Sequence, residues 1–168
     1  MTEIKPEYLV PKTERHIPER YWMDDGEDLI AKWEKNFSQK AFQAVLLSNI
    51  QRYAIRYGKK DKHLTEARKM LDYAKRLELS EKRRHGPLND KELKAVLHNE
   101  FHMVTELREM SLNNLRIYLT NLIYEHGFRF GESYSYYLDA CFLTQECQAL
   151  VDYETEAEEV ISRYTGEV

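Results

Sequence analysis

Ser38 to Lys60 reads SQKAFQAVLLSNIQRYAIRYGKK, and this stretch decides the fold class. Phe42, Val45, Leu46, Ile50, Tyr53, Ala54 and Tyr57 recur every three or four residues, the rhythm of one buried helix face. Ser38 stands where an N-cap hydroxyl is wanted. Gly58 fits the left-handed conformation that closes a helix. The spacing therefore predicts a helix from Gln39 to Gly58, with Lys59, Lys60, Asp61, Lys62 and His63 as the turn that follows.

The same pattern extends in both directions. Downstream, Thr65 is the expected cap of a third helix whose inner face carries Ala67, Met70, Leu71, Ala74 and Leu77, with Tyr73 beside it. That helix stops near His85-Gly86-Pro87, the best internal boundary. Asn89 or Asp90 then caps a fourth helix with Leu93, Val96, Leu97, Phe101, Val104 and Leu107 on one face. Ser111 opens a fifth, through Leu112, Leu115, Tyr118, Leu119, Leu122 and Ile123 to Gly127. Glu132 to Tyr164 reads as one or two more helices. Upstream, Leu29, Ile30, Trp33 and Phe37 mark a short amphipathic helix over Asp28 to Phe37. Before it, Pro6, Pro11 and Pro18 interrupt any period, so residues 1–25 are expected to form an irregular arm. No strand is predicted. The expected architecture is all-α, five to seven helices in a compact bundle, divided into the arm, a helical module over 26–85 and a helical second half over 88–168.

Composition agrees with this. The chain has 168 residues, 42% hydrophobic and 32% charged, with only 6 Gly and 4 Pro, which favours long helices over a sandwich of strands. No apolar run approaches about 18 residues, so no membrane span is expected. Met1 to Pro11 carries Glu3, Lys5 and Glu7 and lacks a signal-peptide core. Cys141 and Cys147 are expected to be reduced thiols of a cytoplasmic protein.

The charge is unevenly distributed. The net charge is −4, yet residues 51–84 hold 12 Lys/Arg against 5 Asp/Glu, while residues 85–168 hold 6 against 15. A basic centre invites anionic ligands, whereas the acidic second half disfavours nucleic acid as partner. Within the centre, Arg52, Arg56, Lys59 and Lys60 lie at i, i+4, i+7 and i+8 and would line one stripe of a continuing helix. Like charges at this spacing repel. Guanidinium groups suit bidentate contacts to phosphate and lysines suit point-charge contacts, so these four are the candidate phosphate-binding residues. Favourable interaction with the helix dipole is the structural alternative for Lys59 and Lys60.

The residues also resemble a family. Arg20-Tyr21, Ser48-Asn49-Ile50-Gln51-Arg52-Tyr53, Arg56-Tyr57-Gly58-Lys59-Lys60, and Glu66-Ala67-Arg68-Lys69 with Tyr73 are similar to the SaV-like family of small bacteriophage proteins, from about Pro18 to Leu79. Arg20, Ser48, Arg52 and Tyr57 depart from the family's His, Gly, Lys and Ala. The family includes a coliphage nucleotide kinase that works without a Walker phosphate loop, and no such loop occurs in this chain. The resemblance implies a phage-encoded nucleotide-binding protein acting in the bacterial host cell. It further implies phosphoryl transfer from a nucleoside triphosphate donor to a deoxynucleoside monophosphate, with no catalytic residue or magnesium requirement assigned. Arg52, Arg56, Lys59 and Lys60 would then clamp phosphates, Asn49 would contact base or sugar, and Tyr21, Tyr53 or Trp22 would stack on the base. Residues from about Leu112 to Tyr153 are faintly similar to the helical hairpin of Spo-zero-E-type aspartyl-phosphate phosphatases, with Gln148 where the functional Asp belongs.

His98 and His102 are one turn apart with Glu106 beyond, but no matching cysteine pair accompanies them, and no metal site is assigned. Twelve tyrosines are many for this length. Tyr118, Tyr134, Tyr136 and Tyr137 are expected to build an interface, because Tyr combines an apolar body with a polar tip. This suggests a homo-oligomer. It also supports the alternative function, a non-enzymatic phage protein that engages a host protein or regulator.

Overall fold

Residues 28–97, 107–127 and 133–165 are described by the computed structural model. They form six helices and no strand: α1 (Leu29–Asn36), α2 (Gln39–Ile55), α3 (His63–His85), α4 (Asp90–Leu97), α5 (Leu107–Gly127) and α6 (Tyr134–Thr165). The all-α expectation holds for the described residues. Among them, no helix is long and apolar enough to cross a membrane.

Local chemistry sets most of the helix ends. The Asp28 carboxylate accepts from Ala31 N at 2.8 Å, and the Ser38 hydroxyl accepts from Ala41 N at 3.1 Å, each satisfying a free amide of a first turn. Asn89 does the same for Glu92 N at 2.9 Å. Gly86 closes α3 at φ 78°. Two expected caps fail. Thr65 lies inside α3, which begins two residues earlier after Lys62. Ser111 lies inside α5 and is buried. The final segment is one continuous helix of 32 residues, about 48 Å long at 1.5 Å per residue.

Helices α2, α3, α6 and α5 form a closed ring of four, each packed on the next. Cross-helix pairs fix the directions. Gln43 bonds Glu81 and Gly58 bonds Glu66, so α2 and α3 are antiparallel. Tyr118 stacks on Phe142 while Arg108 reaches Glu154, so α5 and α6 are antiparallel. Arg116 bonds the Ala54 carbonyl and His126 bonds that of Lys40, which does the same for α2 and α5. Thus α3 ends at one end of the bundle and α5 begins at the other. Leu46, Ile50, Met70, Leu77, Leu115, Leu122, Leu143 and Leu150 meet in one core at 0% exposure. Burial contributes about 1.5–3 kcal/mol for each such side chain. Residues from both halves of the chain build that core.

Two buried arginine–carboxylate groups lie inside the bundle. Arg76 lies between Asp28 and Asp72, donating to Asp28 Oδ1 at 2.9 Å and to Asp72 Oδ2 at 3.1 Å. Glu81, fully buried, accepts from Gln43 at 2.7 Å and pairs with Arg84. These bonds tie α1, α2 and α3 in one register, because a slip would strand a buried charge.

Candidate functional site

The site lies at the end of the bundle where α2 stops and α3 starts. Arg56 is the C-cap of α2, and its amide still bonds the Arg52 carbonyl. Gly58 follows at φ +77°, a conformation that side chains disfavour, and a Cβ there would stand 2.2 Å from the His63 ring. Lys59 N turns back to the Arg56 carbonyl at 2.9 Å. The helix therefore ends before Lys59 and Lys60. The stripe of four predicted from spacing shortens to Arg52 and Arg56, and the two lysines stand exposed on the turn.

The turn closes around a carboxylate of its own chain. Glu66, at 0% exposure, accepts from Gly58 N at 2.6 Å and from Asp61 N at 3.4 Å. It lies in the first turn of α3, where negative charge is favoured by the helix dipole. It also consumes two inward-facing amides that would otherwise be unpaired in the interior.

The two arginines gather on an aromatic ring rather than on acids, and Lys69 joins them there. The Arg52 guanidinium lies 5.3 Å, that of Arg56 5.1 Å, and the Lys69 ammonium 5.5 Å from the Tyr53 ring centre. Tyr53 itself is 7% exposed and stacks on Tyr73 at 6.2 Å. Arg52 also donates to Asn49 Oδ1 at 3.0 Å, and Lys69 to Asp61 at 3.4 Å. Among the described residues, no carboxylate pairs with Arg52, Arg56, Lys59 or Lys60. The Nε of Arg56 is buried with no hydrogen-bond partner. A π-face attracts cations through its quadrupole and carries no net charge. The ring thus holds the cations together and leaves their positive potential available.

Several expectations change. Tyr53 has no face left for a nucleobase, since cations and Tyr73 occupy its surroundings. Asn49 donates to the Val45 carbonyl at 2.9 Å and accepts from Arg52, so its amide positions an arginine. Tyr21 and Trp22, with His98 and His102, lie outside the described residues. Tyr136 and Tyr137, expected at an interface, are 0% and 2% exposed and pack within the chain. Tyr136 joins the main core, and Tyr137 lies against the end of α3, where it stacks on His85 at 5.6 Å. Tyr118 is half-buried against Phe142. Tyr134, exposed, bonds Glu92 and packs edge-on against His85.

One group beside the site escaped the sequence reading. Tyr57 donates to Glu154 Oε1 at 3.0 Å, and Arg108 holds the same carboxylate with two bonds of 2.6 and 2.8 Å. Burial, then the Glu154 charge, raises the Tyr57 phenol well above its usual range, so it stays a donor. Tyr57 and Glu154 are 97 positions apart, and no local signal links them. Among the described residues, no group of three His, Cys, Asp or Glu is placed to hold a metal.

Comparison with known proteins adds one match. Residues 16–75 are similar to a family described as a protein of unknown function, DUF3310. That span contains the whole α2–α3 turn with Arg52, Arg56, Lys59 and Lys60. No curated protein and no solved structure matches the chain.

Proposed function

We propose that the α2–α3 edge binds the phosphates of a nucleotide. The observation that carries this reading is the pair Arg52 and Arg56, held on Tyr53 without a carboxylate among the described residues, with the Arg56 Nε buried and unpartnered. From Arg52 to Lys69 the sequence holds seven Lys or Arg against two acids, Asp61 and Glu66. Two guanidinium forks one helical turn apart suit adjacent phosphate oxygens, and the exposed lysines of the turn add point charges. Lys62 caps α3 without a side-chain hydrogen bond, so the first amides of that helix add positive potential at the same end.

The resemblance to the SaV-like proteins extends the proposal to phosphoryl transfer onto a deoxynucleoside monophosphate. Such a reaction asks the protein mainly to position two phosphates and neutralise their charge. The basic edge is suited to that task. The test is calorimetric titration with deoxynucleoside monophosphates and a triphosphate, alone and together, with phosphorus NMR following turnover. Salt-sensitive binding that falls about tenfold or more in Arg56→Ala/Lys59→Ala supports the reading, and a new diphosphate signal supports transfer. Unchanged binding in the double variant overturns it.

A further inference from the structure

Glu66 presents a paradox for an anion site. It is an acid of the same sign as the ligand, on the same turn, and charge alone would make it weaken binding. Yet it is sealed at 0% exposure, with Oε2 on Gly58 N at 2.6 Å and Oε1 on Asp61 N at 3.4 Å. A contact of 2.6 Å from an amide to a carboxylate is the short, charge-assisted kind. The segment between those two amides is Gly58 to Asp61, which carries Lys59 and Lys60. Gly58 is left-handed at φ +77° where its amide meets Glu66, and the His63 ring fills the space a side chain would need.

We propose that Glu66 is a positioning residue of the phosphate site, an internal anion that folds the turn and so holds Lys59 and Lys60 toward the ligand. The proposal rests on the nucleotide reading above. It has a consequence opposite to simple electrostatics. Removing this negative charge makes the site more positive by one unit and nevertheless weakens binding. Because the Gly58 and Asp61 amides are already bonded to Glu66, the ligand is held by side chains, and the steepness of its salt dependence counts the cations in place.

The test uses the full chain, with adenosine triphosphate and inorganic pyrophosphate as probes. Glu66→Gln keeps the shape and removes the charge. Three- to tenfold weaker binding of both probes, a shallower salt dependence and faster hydrogen exchange at the Gly58 amide are expected. Glu81→Gln changes an equally buried acid at the far end of the same helix, and binding is expected within twofold of wild type. Gly58→Ala disturbs the turn through the His63 ring while leaving every charge in place, and it is expected to lose as much affinity as Glu66→Gln. Binding as tight as wild type, or tighter, in a folded Glu66→Gln or Gly58→Ala variant overturns the positioning role while leaving the nucleotide reading intact. Wild-type protein that binds neither probe overturns both.

Discussion

The two ends of α3 handle arginine in opposite ways. Arg76 and Arg84, in its C-terminal half, each meet a buried carboxylate: Asp28 and Asp72 for the first, Glu81 for the second. Beside its N-terminal turn, Arg52 and Arg56 lie over Tyr53 and meet no carboxylate among the described residues. The residue types are the same and the charge density is similar. At one end the charge is consumed in holding helices together. At the other it is gathered and left available. A count of basic residues does not separate the two cases, whereas the identity of the nearest neighbour does.

The largest expected effect tests the consumed end. Arg76→Ala removes the guanidinium that bonds the buried carboxylates of Asp28 and Asp72 and is expected to cost about 3–5 kcal/mol of stability, read by urea unfolding. Any comparable loss from Arg52→Ala would break the contrast.

Next comes Glu146, buried at 0% exposure on α6. Burial pushes its carboxyl up to about 7, opposed by a hydrogen bond from Asn114. The folded chain therefore holds this proton more tightly than the unfolded chain, whose glutamates titrate near 4.3. The sign follows: the contribution to stability is complete below about pH 4.3 and is lost as pH rises toward about 7. Glu146→Gln is expected to add about 2 kcal/mol at pH 8 and almost nothing at pH 4, measured by unfolding at both values.

The available end gives smaller numbers in stability and larger ones in binding. Arg56→Ala/Lys59→Ala is expected to lose about 1.4 kcal/mol or more of nucleotide binding, the equivalent of tenfold. The smallest effect is that of Arg52→Ala on stability, within about 0.5 kcal/mol of wild type by thermal unfolding, because an exposed charge contributes little and its removal relieves repulsion from Arg56. A marked destabilisation would assign Arg52 to the architecture instead.

Helix periodicity made most of the fold legible. Ile50, Leu46, Ala67, Met70, Ala74 and Leu77 were assigned to buried faces, and all are buried. Ser38, Asn89 and Gly86 mark boundaries that local hydrogen bonding or backbone freedom enforces. Thr65 and Ser111 misled because a hydroxyl is only one way to end a helix. At the start of α3 the turn is fixed from inside by Glu66. The basic site was legible as a composition and a register, with Arg52 and Arg56 one turn apart. Its geometry was not, since Gly58 moves Lys59 and Lys60 off the helix. Tyr136 and Tyr137 show the same limit: an amphipathic ring suits an interface or a core boundary equally, and packing against α3 selects the core.

The order of residues by itself determined that this chain is helical, where most helices start and stop, and that its centre is rich in cations, because spacing, caps and charge act within one or two turns. Only the tertiary structure decided which cations are consumed and which remain available. That choice depends on carboxylates and rings tens of positions away, such as Asp28 for Arg76, Tyr73 behind Tyr53 and Glu154 for Tyr57, and neighbours at that distance are set by how helices pack.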